Sequence, residues 1–291
     1  MKGRIVGNIS NLYIVESKNK KYKAMARGKF KKENIQPVVG DFVEIEKISE
    51  DEAVIENICK RDVYIKRPKM SNITQIILVV SSKNPKPDLL MLDKQIIFAE
   101  LLKIKVIIVL NKIDLDNKND FKQIKDTYTK IGYKVIETEA KDGIGIENLM
   151  KGLNGNINAF SGNSGVGKST LINAIFKNQI AVEGEISKKN KKGKNTTTDV
   201  NLYKINDKTY IADTPGFSTF SIEEIESNKL ENYFMDFKKY IHKCEFVGCT
   251  HLKEEKCGIK KAMEDGKIDI GRYERFCKIY NELKQKEERK W

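Results

Sequence analysis

At 291 residues the chain is long enough for two or three domains and at least one substantial core. Charged residues make up 33% and apolar residues 40%, which excludes a disordered chain, and no apolar run approaches the roughly 18 residues of a membrane span. A net charge of +13 favours a polyanionic partner, nucleic acid before a membrane surface, with a Lys-, Asn- and Ile-rich composition as the competing account.

The first residues, Met1 to Gly7, lack a signal-peptide core, so a cytoplasmic location is expected. Residues 1–67 read as short strands over Gly3–Asn8, Asn11–Glu16, Lys21–Ala26, Asp41–Lys47 and Ala53–Ile58. Alternation of apolar and polar residues is plain in Asp41 to Glu46. Five such strands suit a small barrel of the oligonucleotide-binding (OB) kind. Arg27, Lys29, Lys31 and Lys32 beside Phe30 and Tyr22 form a mixture able to bind single-stranded nucleic acid by charge and stacking. The alternative is a solvated barrel face.

Arg61 to Ser71 reads as a linker, and residues 68–222 then follow a different pattern. Gln75–Val80 and Lys105–Leu110 are continuous apolar runs, expected of strands buried on both faces. Helical periodicity follows each, over Asp88–Lys103 and Phe121–Ile131. Lys134–Glu137, Ile157–Phe160, Val200–Ile205 and Thr209–Ala212 are further strands, with short helices at Ile146–Gly152 and after Ser169. This alternation predicts an α/β domain with a parallel sheet covered on both faces. From residue 223 to 291 short helical pieces surround a cysteine cluster, and Ile270 to Trp291 predicts a terminal helix.

Gly162-Asn163-Ser164-Gly165-Val166-Gly167-Lys168-Ser169 fits G-x-x-x-x-G-K-[ST] between a strand and a helix that begins at Thr170. In that context backbone N–H groups and the helix N-terminus converge on phosphate. Lys168 bridges the outer phosphates and Ser169 offers its hydroxyl to Mg²⁺. Asn111-Lys112-Ile113-Asp114 follows a buried strand, where a base-recognition loop belongs. Asp114 suits the paired donors of guanine, Asn111 would brace the loop, and the Lys112 stem would pack over the ring. Ala140-Lys141 occupies the position of a second guanine loop. Asp213-Thr214-Pro215-Gly216 fits D-x-x-G, with Asp213 toward Mg²⁺ and the Gly216 N–H toward the γ-phosphate. Among Thr196, Thr197 and Thr198, Thr197 is the expected switch ligand to Mg²⁺, although three adjacent threonines leave the choice open.

Five cysteines in a cytosolic chain do not suggest disulfides. Cys244, Cys249, His251 and Cys257 instead match a closed tetrahedral zinc site with a structural role, His242 being the competing imidazole.

The guanine loops precede the phosphate loop and the switches come last, which is a circular permutation of the Ras-like order. With the barrel and the Cys/His cluster, this combination closely resembles the ribosome small subunit-dependent GTPase A family over essentially the whole length. The resemblance implies an OB-fold RNA-binding domain at 1–67, a circularly permuted GTPase domain at 68–222 and a zinc-binding helical domain at 223–291. It implies a GTP hydrolase acting late in maturation of the small ribosomal subunit, with that subunit and its rRNA as partners. GTP/GDP, Mg²⁺ and one structural Zn²⁺ are the expected ligands, with no membrane partner and a monomeric chain. Catalysis would rest on Lys168, Thr197, Gly216 and Mg²⁺, without a named general base. Asn195 stands where the family has His before the Thr triplet, Glu139 replaces the usual Ser before Ala140, and Phe217 cannot orient water by hydrogen bonding. The rival readings are a GTP-sensing RNA-binding module with incidental hydrolysis, and a GTPase acting on another RNA.

Overall fold

The computed structural model describes residues 1–9, 12–32, 35–116, 120–183, 200–213 and 221–289. Strands β1 (Lys2–Ile9), β2 (Leu12–Ser17), β3 (Lys20–Ala26), β4 (Phe42–Lys47) and β5 (Glu52–Ile58) close into a barrel in the order β1-β2-β3-β5-β4. All its pairings are antiparallel except β3 with β5. Alternation explains the closure, because Val43 and Ile45 turn inward beside Ile5, Val15 and Ile55 while Glu44 and Glu46 face outward.

The turn α1 (Lys29–Lys32) corrects one expectation about this barrel. Phe30 and Tyr22 are buried in the core, so neither ring is available for stacking on a base. Arg27 is engaged by Glu46 and Glu56, and Lys29 donates to Asn57. Apolar burial outcompetes display of the rings, and Arg27 pairs with the acidic outer face of the barrel. The expected linker also carries structure: β6 (Tyr64–Lys66) and β7 (Lys69–Ser71) form a hairpin, because Ile65 and Met70 join the barrel core. Buried Asp41 anchors that hairpin by accepting from Arg61 Nε at 2.7 Å and Ser71 Oγ at 2.6 Å.

A six-stranded sheet follows in the order β10-β9-β8-β11-β13-β12. Its strands are β8 (Gln75–Ser81), β9 (Lys105–Asn111), β10 (Lys134–Thr138), β11 (Ile157–Ser161), β12 (Asn201–Asn206) and β13 (Thr209–Asp213). Only β12 runs antiparallel. Period-two alternation splits β8 between two cores. Ile76, Leu78 and Val80 pack with α2 (Leu89–Leu101) and α3 (Asp120–Ile131), whereas Ile77 and Val79 pack with α4 (Ile146–Leu153) and α5 (Lys168–Glu183). Strand order reverses between β8 and β11, which opens a crevice at their carboxyl ends.

The C-terminal part is mainly helical, with α6 (Gly258–Glu264), α7 (Ile270–Glu288) and short 3-10 turns. Its core centres on Phe234, Phe237 and Phe276, whose ring centroids lie 4.8 to 5.1 Å apart. Ile97 of α2 enters the same core. Among the described residues no helix is long and apolar enough to cross a membrane.

Candidate nucleotide and metal sites

Five strand ends meet at one edge of the sheet. Register places Ser81 beside Asn111, Asn111 beside Thr138, and Ser161 beside Leu78. Residues 162–169 leave β11 there and enter α5. Gly162 has φ +141°, and a Cβ on it would lie 2.3 Å from the Val79 carbonyl oxygen. Gly167 has φ +100°, and a Cβ there would lie 2.3 Å from Asn111 Nδ2. Both positions therefore demand glycine by backbone conformation and by space. Ser164, Gly165, Ser169 and Thr170 are exposed on the open side of the loop, while Val166 is buried beneath it.

Asn111 is 2% exposed and joins three segments. Its Nδ2 donates to the Val166 carbonyl at 2.8 Å, and its Oδ1 accepts from Thr138 Oγ1 at 3.0 Å. Lys112 sits in left-handed backbone at φ +66°. Its Nζ donates to the carbonyls of Asn84 at 2.6 Å and Gly165 at 2.7 Å, so the stem crosses from the base loop to the phosphate loop. Asp114 is exposed in the following 3-10 turn, with Ala140 buried and Lys141 exposed. Lys168 Nζ donates to the Gly162 and Asn163 carbonyls at 2.6 and 2.9 Å, and burial pulls its ammonium below the usual lysine range. Asp213 ends β13, whose register with β11 pairs Ala212 with Ala159.

The structure thus brings together Asn111, Lys112, Asp114, Ala140, Lys141, the phosphate loop and Asp213. Asn195, Thr196, Thr197, Thr198, Gly216 and Phe217 lie outside the described residues. One partner of the site carries no motif signal, the Asn84 carbonyl that receives Lys112, while Thr138, which orients Asn111, opens the stretch that resembles a second guanine loop. Glu139, the departure from the usual serine, has its carboxyl raised above the ordinary carboxylate range by the hydrogen bond its protonated form donates to Asp142, by desolvation and by the charge of Asp142 and Asp114.

A second cluster lies in the C-terminal part. One ligand atom from each of Cys244, Cys249, His251 and Cys257 falls within 4.8 Å of the others. Cys244 Sγ lies 3.6 Å from His251 Nδ1 and 4.0 Å from Cys257 Sγ, and His251 Nδ1 lies 3.3 Å from Cys257 Sγ. Tetrahedral zinc with ordinary bond lengths requires S···S near about 3.8 Å and S···N near about 3.5 Å. The donor set and spacing therefore fit a tetrahedral thiophilic ion. His251 is the imidazole within this group, whereas His242 is exposed and lies outside it. Sequence spacing gave no hint of Glu231, whose Oε2 lies 2.5 Å from His251 Nε2 and holds the ring with Nδ1 toward the sulfurs. Backbone N–H groups of Gly258 and Lys260 point at Cys244 and Cys257 sulfurs at 3.3 and 3.5 Å. Burial pushes the Cys249 thiol up to about 12 and raises Cys257 as well.

Comparison with known proteins completes the picture. Residues 58–223 match the model of the RsgA GTPase family and residues 2–55 that of the RsgA N-terminal domain. The small ribosomal subunit biogenesis GTPase RsgA of Alkaliphilus metalliredigens is 38% identical over 286 residues, covering 98% of each chain. The protein of that name from Clostridium novyi is 39% identical, with both chains covered completely. The crystal structure of YjeQ from Thermotoga maritima superposes with a TM-score of 0.84 at 35% identity, over 97% of this chain and 98% of that one. YloQ, described as a circularly permuted GTPase, superposes at 0.80 with 31% identity, over 98% of this chain and 95% of that one.

Proposed function

The chain belongs to the RsgA GTPase family, and from that premise we propose that it hydrolyses GTP to GDP and phosphate on the small ribosomal subunit during late maturation. The observation that carries this reading is the clasp of Asn111 and Lys112 onto the phosphate loop. It joins a base-recognition loop to an anion cradle at one sheet edge, in a chain that matches its relatives end to end.

In this reading the backbone N–H groups of residues 163–170 receive the phosphates, and Asp114, Ala140 and Lys141 recognise guanine. Lys168 exchanges its two carbonyl partners for phosphate oxygens. Its partial burial strengthens that charge-assisted contact, since less water competes there than at the open surface. Ser169 and Asp213, at the same sheet edge, fit the hard oxygen-donor character of Mg²⁺, with Thr197 as the switch ligand. When bound, Mg²⁺ supplies charge stabilisation to the phosphate oxygens. Gly216 offers its N–H to the γ-phosphate, and the residues act by positioning and charge rather than by a named base.

The Cys₃His cluster holds one structural Zn²⁺, leaving no open position for catalysis. The positive net charge supports rRNA as the contacted component. The working form is a cytoplasmic monomer, organised as OB-fold, GTPase and zinc-binding domains with boundaries near residues 67 and 222. GTP turnover measured with small subunits, large subunits and free RNA side by side tests the proposal. Slow intrinsic turnover should rise with small subunits alone; equal rates with and without them would sink the ribosomal assignment.

A further inference from the structure

Helix α2 carries two buried polar residues, Asp93 and Gln95, at 0% and 2% exposure. Residues two positions apart on a helix are separated by about 200°, so these side chains leave opposite faces. Gln95 lies on the face that packs Leu92, Ile96 and Ala99 against the sheet. Its Nε2 donates to Ser161 Oγ at 3.1 Å. Ser161 is the last residue of β11 and immediately precedes Gly162 of the phosphate loop. Asp93 lies on the other side, toward α3 and the C-terminal helix α7. Its carboxylate accepts from Arg272 Nη1, from Arg275 Nε at 2.5 Å and from Tyr128 Oη at 2.7 Å. Arg272 is itself fully buried and also donates to Asp236 at 2.9 Å.

A buried ion pair is weak evidence for stability, because apolar residues of similar volume serve as well. What it does supply is direction. Both Asp93 oxygens are committed to α7, so α2 cannot rotate or slide without breaking them. The same helix begins next to the site. Its N-cap is Asp88, and the preceding loop offers the Asn84 carbonyl to Lys112, which also holds the Gly165 carbonyl. Close-packed interiors transmit such constraints rather than absorbing them.

We propose that α2 positions the phosphate loop on behalf of the C-terminal helix, with Gln95 as the positioning residue at the loop and Asp93 as its anchor to Arg272 and Arg275. A partner that displaces α7 therefore alters how firmly the loop grips a guanine nucleotide. This inference rests on the assignment of Gly162–Ser169 as the phosphate site.

The test uses the full chain and the release rate of a fluorescent GDP analogue, with melting temperature recorded for each variant. Arg275 is chosen over Arg272 because its side chain is 13% exposed and its loss is less damaging to the core. Gln95→Ala and Arg275→Ala should each speed release by about three- to tenfold, the double variant should be no faster than the faster single, and Arg275→Lys should restore most of the grip. Unchanged release from Arg275→Ala despite a lowered melting temperature overturns the proposal, as does a double variant equal to the product of the singles. Failure of the unsubstituted chain to bind the analogue would remove the nucleotide-site assignment itself, and the coupling with it.

Discussion

Asn111 holds two loops that lie 55 positions apart in the chain, and its amide is oriented by Thr138. Asn111→Ala leaves the Val166 carbonyl buried without its donor, so we expect a loss of about 1–3 kcal/mol in stability. Because the same amide sets the spacing of the two loops, guanine-nucleotide affinity should fall by roughly tenfold or more. Calorimetric titration with GDP beside a thermal melt reads both numbers. Gly167→Ala is the complementary probe. Its methyl group would meet Asn111 Nδ2 at 2.3 Å in left-handed backbone, so nucleotide binding should be lost while the barrel still folds. Retained binding would show that the loop can re-form around a side chain. The identities of Asn111 and Gly167 are legible in the linear motifs. The contact between them is not, because it depends on strand register across three neighbours in the sheet.

At the level of elements, the zinc-type cluster shows how local sequence and distant support combine. The four ligands fall within fourteen residues and their spacing announces them, yet Glu231 arrives from a separate 3-10 turn. Buried thiols with a raised pKa set the pH behaviour of the metal-free form. Such groups stay protonated in the folded chain after they ionise in the unfolded one, so the unfolded state binds fewer protons. Stability of the metal-free protein should therefore decline as pH rises from about 8.5 toward about 12, the value to which burial pushes Cys249. Loading with zinc should remove that decline, since the ion holds the sulfurs as thiolates at neutral pH. Melts of chelated and zinc-loaded protein between pH 8 and pH 10 make the comparison; parallel curves would argue against metal at this cluster. Cys257→Ser should reduce bound zinc, measured by elemental analysis, and lower the melting temperature of the C-terminal part.

For the molecule as a whole, the barrel leans on the strand that follows residues 184–199. Strand β1 packs against β12, and a Cβ on Gly7 would lie 2.7 Å from Asn201 Oδ1. Arg4 is stacked between Phe42 of the barrel at 4.4 Å and Tyr210 of the sheet at 4.9 Å. Lys204 reaches back to Glu16 at 3.2 Å. The guanidinium stacks on a ring from each side of that seam, so Arg4→Ala should weaken the barrel–sheet contact by about 1–2 kcal/mol. Limited proteolysis should then cut the connection near the β6–β7 hairpin sooner than in the unsubstituted chain. Equal cleavage rates would mean that the remaining contacts, the Lys204–Glu16 pair among them, hold the seam without Arg4.

The sequence by itself determined the chemistry of the site and the order of the parts. Phosphate loops, base loops and thiolate clusters depend on residue types at fixed short spacing, and periodicity distinguishes a barrel from a doubly covered sheet. Three matters were decided only by tertiary structure, because each depends on which surfaces meet. Phe30 and Tyr22 look like nucleic-acid platforms beside lysines, but the barrel interior gains more by burying them. The stretch after Arg61 looks like a linker, but Ile65 and Met70 have a core to enter. Asp93 reads as an ordinary charge on an amphipathic helix until α7 brings Arg272 and Arg275 to it across about 180 positions of chain. Short-range patterns record what a residue can do, and the fold selects which neighbours it does it with.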